Sequence, residues 1–132
     1  MKKILFVLLS LTISHSAIAE WVELGGSDDA TSYYDPNRIE SYSGGYQSIW
    51  ALRDYKTTQR RKDIKAPFRS NVIRVIVDCT RKESKVISAF GYSQNMGRGE
   101  LVDSDSVTGS FSSAPPNSVK EALIDLACRK KK

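Results

Sequence analysis

Apolar and polar residues alternate most regularly in residues 70–95, SNVIRVIVDCTRKESKVISAFGYSQN. This stretch reads as two long β-strands joined by a tight polar turn, because a period of two puts successive side chains on opposite faces of a sheet. Ile73, Val75, Val77 and Cys79 fall on one face and Val72, Arg74, Ile76 and Asp78 on the other, so the odd-numbered face is the expected core face. Arg81 and Lys82 offer no easy positive φ, so a four-residue type I turn over residues 80–83 is expected. That turn sets Cys79 opposite Ser84, Asp78 opposite Lys85 and Ile76 opposite Ile87, with Val86, Ser88 and Phe90 on the core face.

The same period extends upstream. Residues 21–24 form a short alternating segment stopped by Gly25 and Gly26, and residues 32–35 a second one turned by Asp35, Pro36 and Asn37. Residues 38–43 and 46–56 flank Gly44 and Gly45, a hairpin signal because both glycines accept positive φ. In the longer arm Ile49, Ala51, Arg53 and Tyr55 share one face, and Tyr46, Ser48, Trp50 and Leu52 the other. Residues 56–69 carry six basic side chains against the single Asp63, a density that repels and solvates, so an exposed loop is expected there. Past the glycine-rich reversal at residues 95–100, Leu101 and Val102 add a few strand positions, and residues 103–113 read as a polar surface loop with a short edge strand at its end.

The period changes only at the end of the chain. Ser118 is placed as an N-cap with Glu121 three residues later, the spacing of a capping box. Val119, Ala122, Leu123, Leu126 and Ala127 make an apolar stripe, and Cys128 lies at its margin. One amphipathic helix and a sheet with one apolar face bury both surfaces by packing together. The expected class is therefore α+β: a single antiparallel sheet of about six strands with the C-terminal helix on one face. The second face, carrying Val72, Ile76, Ile87 and Ala89 beside Arg74 and Asp78, suits water or a homodimer contact.

Composition changes this picture in three ways. Residues 1–19 have Lys2 and Lys3, an apolar run over residues 4–13 and Ala17-Ile18-Ala19, the signature of a cleaved export leader, which leaves residues 20–132 as one domain. No later segment approaches the ~20 apolar residues of a membrane-spanning helix. Two cysteines in an exported chain are expected to pair, Cys79 with Cys128, and so to staple the helix to the sheet. Finally, without the leader the 20 basic residues fall to 18 against 15 acidic ones, and the tail at residues 129–132 holds four of them. The folded body is then near neutral, which argues against a nucleic-acid partner. The only histidine, His15, leaves with the leader. With neither His nor free Cys, acid-base, nucleophilic and transition-metal chemistry all lose their commonest side chains, so no catalytic residue, metal site or cofactor is assigned.

The ordered set Tyr34-Asp35-Pro36, Trp50 in a strand, Asp78-Cys79 at a strand end, Tyr92 followed by Met96-Gly97-Arg98-Gly99, and a final Pro116-x-Ser118 helix closing on Cys128 resembles the surface-adhesin protein E-like domains of Gram-negative bacteria. The resemblance spans nearly all of residues 20–132. It implies about six antiparallel strands with a disulfide-tethered C-terminal helix, and binding of matrix proteins such as vitronectin and laminin. Two features depart from the family pattern: no cysteine for lipid attachment follows the leader, and Phe111 stands where a tryptophan is common.

The leading site candidate is the basic loop, with Lys56, Arg60, Arg61, Lys62, Lys65 and Arg69 facing an extracellular-matrix protein or an anionic glycan. Its alternative is a solvated connector. Residues 96–99 are weighed as an anion-binding nest against a plain turn, and Asp103 with Asp105 as a cation site against a solvated pair too small to complete a shell. Tyr33, Tyr34, Tyr42, Tyr46, Tyr55 and Trp50 are weighed as a binding face against ordinary cross-strand packing. The expected function is an exported, non-enzymatic, adhesin-like binding module at the cell surface or secreted. The alternative is a periplasmic envelope protein with a bacterial protein or glycan partner.

Overall fold

A computed structural model describes residues 20–64 and 66–129; the expected leader at residues 1–19, Lys65 and the tail beyond Arg129 lie outside the described residues. Strands β1 (Val22–Gly26), β2 (Ala30–Tyr42), β3 (Tyr46–Gln59), β4 (Phe68–Asp78), β5 (Glu83–Tyr92) and β6 (Leu101–Ser106) follow in chain order across one antiparallel sheet. The two-residue β7 (Ser112–Ser113) pairs with the start of β5, and helix α1 (Val119–Arg129) closes the chain.

The expected class is what the chain adopts. Ile49, Ala51, Val75 and Val77 come from the odd face of the two central strands, and Leu123, Ile124 and Ala127 of α1 pack onto them. Cys79 and Cys128 are bonded with their Cα atoms 5.6 Å apart, and both pack against this cluster. The helix is rotated from the expected stripe: Ile124 is buried and Val119 is exposed. At its start Ser118 Oγ accepts the Glu121 amide at 3.1 Å, as a cap should. The Glu121 carboxylate reaches one residue farther back than the standard box and accepts the Asn117 amide at 3.2 Å.

Several boundaries differ from the sequence reading, each for a local reason. The segments expected at residues 32–35 and 38–43 merge into one strand that ends at Tyr42: Tyr34 pairs with Ala51 and Ile39 with Ile49, and Asp35, Pro36, Asn37 and Arg38 bulge between them. Pro36 is tolerated because a bulge does not require its missing amide donor. The turn between β4 and β5 spans residues 79–82 rather than 80–83, with Asp78 opposite Glu83. Asp78 Oδ1 accepts the Thr80 and Arg81 amides at 3.0 and 3.1 Å, and Lys82 takes a positive φ of 56° despite its side chain. Val86 then faces Val75 as part of the core, but Ile87 is an extra residue, so Ser88 and Phe90 move to the face of Arg74 and Val72, and Ala89 comes opposite Ile73. β3 continues to Gln59 and β4 starts at Phe68, which shortens the basic loop to residues 60–67. Finally, residues 103–106 are paired strand rather than loop, because β6 lies along β5 with Ala89 opposite Asp105.

On the face away from the helix, Leu52 and Val72 are also buried. A single 3-10 turn at Asn95–Gly97 covers them.

Candidate functional site: an arginine and tryptophan groove

The sheet face opposite the helix carries a groove of about 460 Å³. Its floor follows from register. Trp50 pairs with Arg74, and Arg74 with Ser88; in the next row Leu52 pairs with Val72, and Val72 with Phe90. Side chains in paired rows share a face, so Trp50, Arg74 and Phe90 meet. The rings of Trp50 and Phe90 stack with centroids 6.1 Å apart and planes inclined by 27°.

The bulge in β2 supplies Arg38. Buried Asp35 accepts the Asn37 amide at 2.9 Å and Arg38 Nε at 2.6 Å, which turns the Arg38 guanidinium over the Trp50 ring, 5.4 Å from its centroid. The same guanidinium lies 5.9 Å from the Trp21 centroid, while Arg74 sits 5.9 Å from Trp50 and donates to the Tyr42 hydroxyl. Cations and rings therefore alternate in the order Trp21, Arg38, Trp50, Arg74. Each contact is worth about 0.5–1 kcal/mol at exposed sites and more as water is removed.

The far wall is the turn that covers Leu52 and Val72. Asp54 Oδ1 accepts Asn95 Nδ2 at 3.0 Å and the Met96 amide at 2.8 Å. Buried Ser70 donates to the Gln94 carbonyl at 2.6 Å and accepts the Gly97 amide at 2.9 Å. Asp54 and Ser70 are directly paired across β3 and β4, so two rigid strand positions bolt the turn down and bring Arg98 to the groove. The Met96 and Gly97 amides are thus spent on Asp54 and Ser70 and that of Arg98 on the Asn95 carbonyl, so this turn serves the groove as a wall. The groove lining contains no carboxylate, and among the described residues Arg74 and Arg98 form no ion pair.

The profile of the family described as surface-adhesin protein E matches residues 21–129. The chain belongs to the surface-adhesin protein E family. Three solved structures of Haemophilus influenzae protein E share its fold. The selenomethionine form is 14% identical with a TM-score of 0.64 over 82% of this chain and 86% of that one. The protein from a non-typeable strain is 14% identical with a TM-score of 0.65 over 87% and 79%. A further structure is 13% identical with a TM-score of 0.63 over 86% and 87%. No curated protein sequence gives a significant match.

In this surface-adhesin protein E chain, the residues that carried the resemblance divide between two tasks. Asp35, Trp50, Tyr92 and Arg98 build the groove, whereas Asp78, Cys79, Ser118 and Cys128 fix the turn, the cap and the tether. The basic residues singled out from the sequence stand elsewhere and are scattered. Lys56 Nζ donates to the Ser27 carbonyl at 3.0 Å, and Arg69 donates to the Lys56 carbonyl at 3.1 Å. Arg60, Arg61 and Lys62 are exposed, and Lys65 lies outside the described residues. Arg61 is hydrogen-bonded to Asp63, which holds the Asp63 carboxyl below its ordinary range and raises the guanidinium. Of the aromatic set only Trp50 enters the groove lining; Tyr42 meets it through Arg74, Tyr46 packs on Phe111, and Tyr55 packs edge-on to Phe68. Arg38, Arg74 and Phe90 escaped the sequence reading. The available signal was that Trp50 and Arg74 both occupy the even face of neighbouring strands. Asp103 and Asp105 lie on β6, and among the described residues no group of three or more metal-ligating side chains comes together.

Proposed function

We propose that this protein is an exported, non-enzymatic adhesin that binds an extracellular-matrix macromolecule through its anionic groups, with the Trp50 groove as the contact surface. The observation that carries this reading is the convergence of Arg38 and Arg98 on a groove lined with aromatic rings, with Arg74 beside Trp50 and the one nearby carboxylate, Asp35, buried behind Arg38. Guanidinium groups pair bidentately with sulfate and carboxylate, and flanking rings exclude water from that contact. Family membership supports the adhesin class, and the basic loop at residues 60–67 supplies a solvated positive charge that speeds encounter. No helix among the described residues is long and apolar enough to cross a membrane.

The test is binding of the mature chain to immobilised heparin and to matrix proteins across a salt series. Arg38→Gln, Arg74→Gln and Arg98→Gln should each weaken binding several-fold, and together flatten its dependence on salt. Unchanged binding in the triple variant would overturn the assignment of the groove. Protease accessibility on intact cells should find the mature chain exposed, and full protection would place its partner in the periplasm instead.

A further inference from the structure

Helix α1 has 11 residues and is about 16 Å long, whereas β3 runs for 14 residues and β4 for 11, lengths of about 46 and 36 Å. The helix therefore cannot cover the whole apolar face of the sheet. The uncovered part is a cavity of about 590 Å³, within the range of about 300–1,000 Å³ found for small-molecule sites.

Small residues leave this space open. Ala30, Ser32 and Ala51 stand on the face that, one row away, carries Ile49 and Val75, and Ser32 is paired with Arg53. Ile73, Val75 and Leu123 supply larger apolar surface. The segment after β6 forms another wall, held to the sheet by the Val107 amide donating to the Ile87 carbonyl at 3.1 Å. Val107 and Val119, both lining the cavity, are 36% and 38% exposed, so apolar surface reaches its mouth.

The charged residues of the lining are Arg53, Lys85 and Lys120, and no Asp or Glu is among them. Lys120 Nζ donates to Ser112 Oγ, Lys85 lies 4.7 Å from the Phe111 ring centroid, and Arg53 5.5 Å from that of Tyr55. None of the three is in an ion pair among the described residues.

A largely apolar cavity of this size, whose charged lining residues are all cationic, is complementary to a hydrocarbon chain ending in an anion. We infer that the cavity between the sheet and α1 is a binding site for a long-chain fatty acid, with the alkyl chain against Ile73, Val75 and Leu123 and the carboxylate toward Lys120. This site is on the opposite face from the Trp50 groove and does not depend on the adhesin reading.

The experiment titrates the mature, oxidised chain with cis-parinaric acid, a fluorescent long-chain carboxylate, and displaces it with saturated fatty acids. Saturable binding of one molecule per chain is expected, with affinity rising by up to about fourfold for each added methylene. Hexadecanol should displace the probe at least several-fold less well than palmitic acid. Ser32→Phe should abolish binding by filling the cavity. Val107→Asp combined with Lys120→Glu should weaken it tenfold or more with an unchanged circular dichroism spectrum, and this pair of positions at the mouth decides the matter if Ser32→Phe does not fold. Arg38→Gln should bind the probe as the unmodified chain does, which separates this site from the groove. Non-saturable binding, no binding by the folded chain, equal displacement by acid and alcohol, or unweakened binding in the Val107 and Lys120 variant would overturn the inference.

Discussion

Asp35 shows how one buried side chain can decide both a backbone path and a surface. It is 1% exposed, and its carboxylate satisfies the amide of Asn37 and the guanidinium that lies over Trp50. Asp35→Ala leaves the bulge without its acceptor, so a loss of about 1–3 kcal/mol in urea unfolding is expected together with weaker heparin binding. Gly97 is the second such residue. Its φ is +68°, and an added Cβ would stand 3.2 Å from Val72 Cγ2 and 3.3 Å from Leu52 Cδ1. Gly97→Ala should cost about 1–3 kcal/mol and displace Arg98, lowering both the unfolding midpoint and groove affinity. At the exposed pair Arg61 and Asp63 the expectation runs the other way. The folded Asp63 carboxyl is held low, so what the pair contributes is present above the ordinary carboxylate range and fades as pH falls through the depressed value. Solvent screens that contribution, and the thermal midpoint of Asp63→Asn should match the parent at pH 7.

Among the elements, what could be read in advance was whatever depends on side-chain period. The two central strands and the helix stand close to where alternation and the Ser118 cap place them, and Gly44 and Gly45 do make the β2 to β3 turn, with φ of 80° and 82°. Period says nothing about where one residue is inserted, and that is where the reading failed. Ile87 looks like any other strand residue, yet its insertion sends Phe90 to the face of Trp50. Asp35-Pro36-Asn37 has turn chemistry, but the pairs on either side, Tyr34 with Ala51 and Ile39 with Ile49, hold the strand straight through it. The groove was hidden for the same reason, since its parts come from four strands and meet only once those insertions are known. For the helix, Ser118→Ala should lower stability by about 0.5–2 kcal/mol, read by helical signal and unfolding midpoint together.

For the molecule as a whole, six consecutive strands pair with their chain neighbours, and α1 returns at the end over β3 and β4. The bond between Cys79 and Cys128 spans 49 positions, for which constraint of the unfolded chain gives about 4 kcal/mol. Replacing both cysteines with alanine should remove about that much in equilibrium unfolding, with α1 the first element to lose amide protection in hydrogen exchange. Replacing Arg60, Arg61, Lys62 and Lys65 together by glutamine should leave the thermal midpoint in place and slow association with heparin, most at low salt.

The tether also imposes an order of events. Cys79 sits at the end of a strand whose pairings are all with nearby segments, so the hairpins can zip up before residue 128 has been delivered. The bond between Cys79 and Cys128 can form only when the last turn of α1 docks beside the end of that strand. A product that lacks residue 128 leaves Cys79 without its intramolecular partner, a chemical mark by which it differs from the tethered molecule.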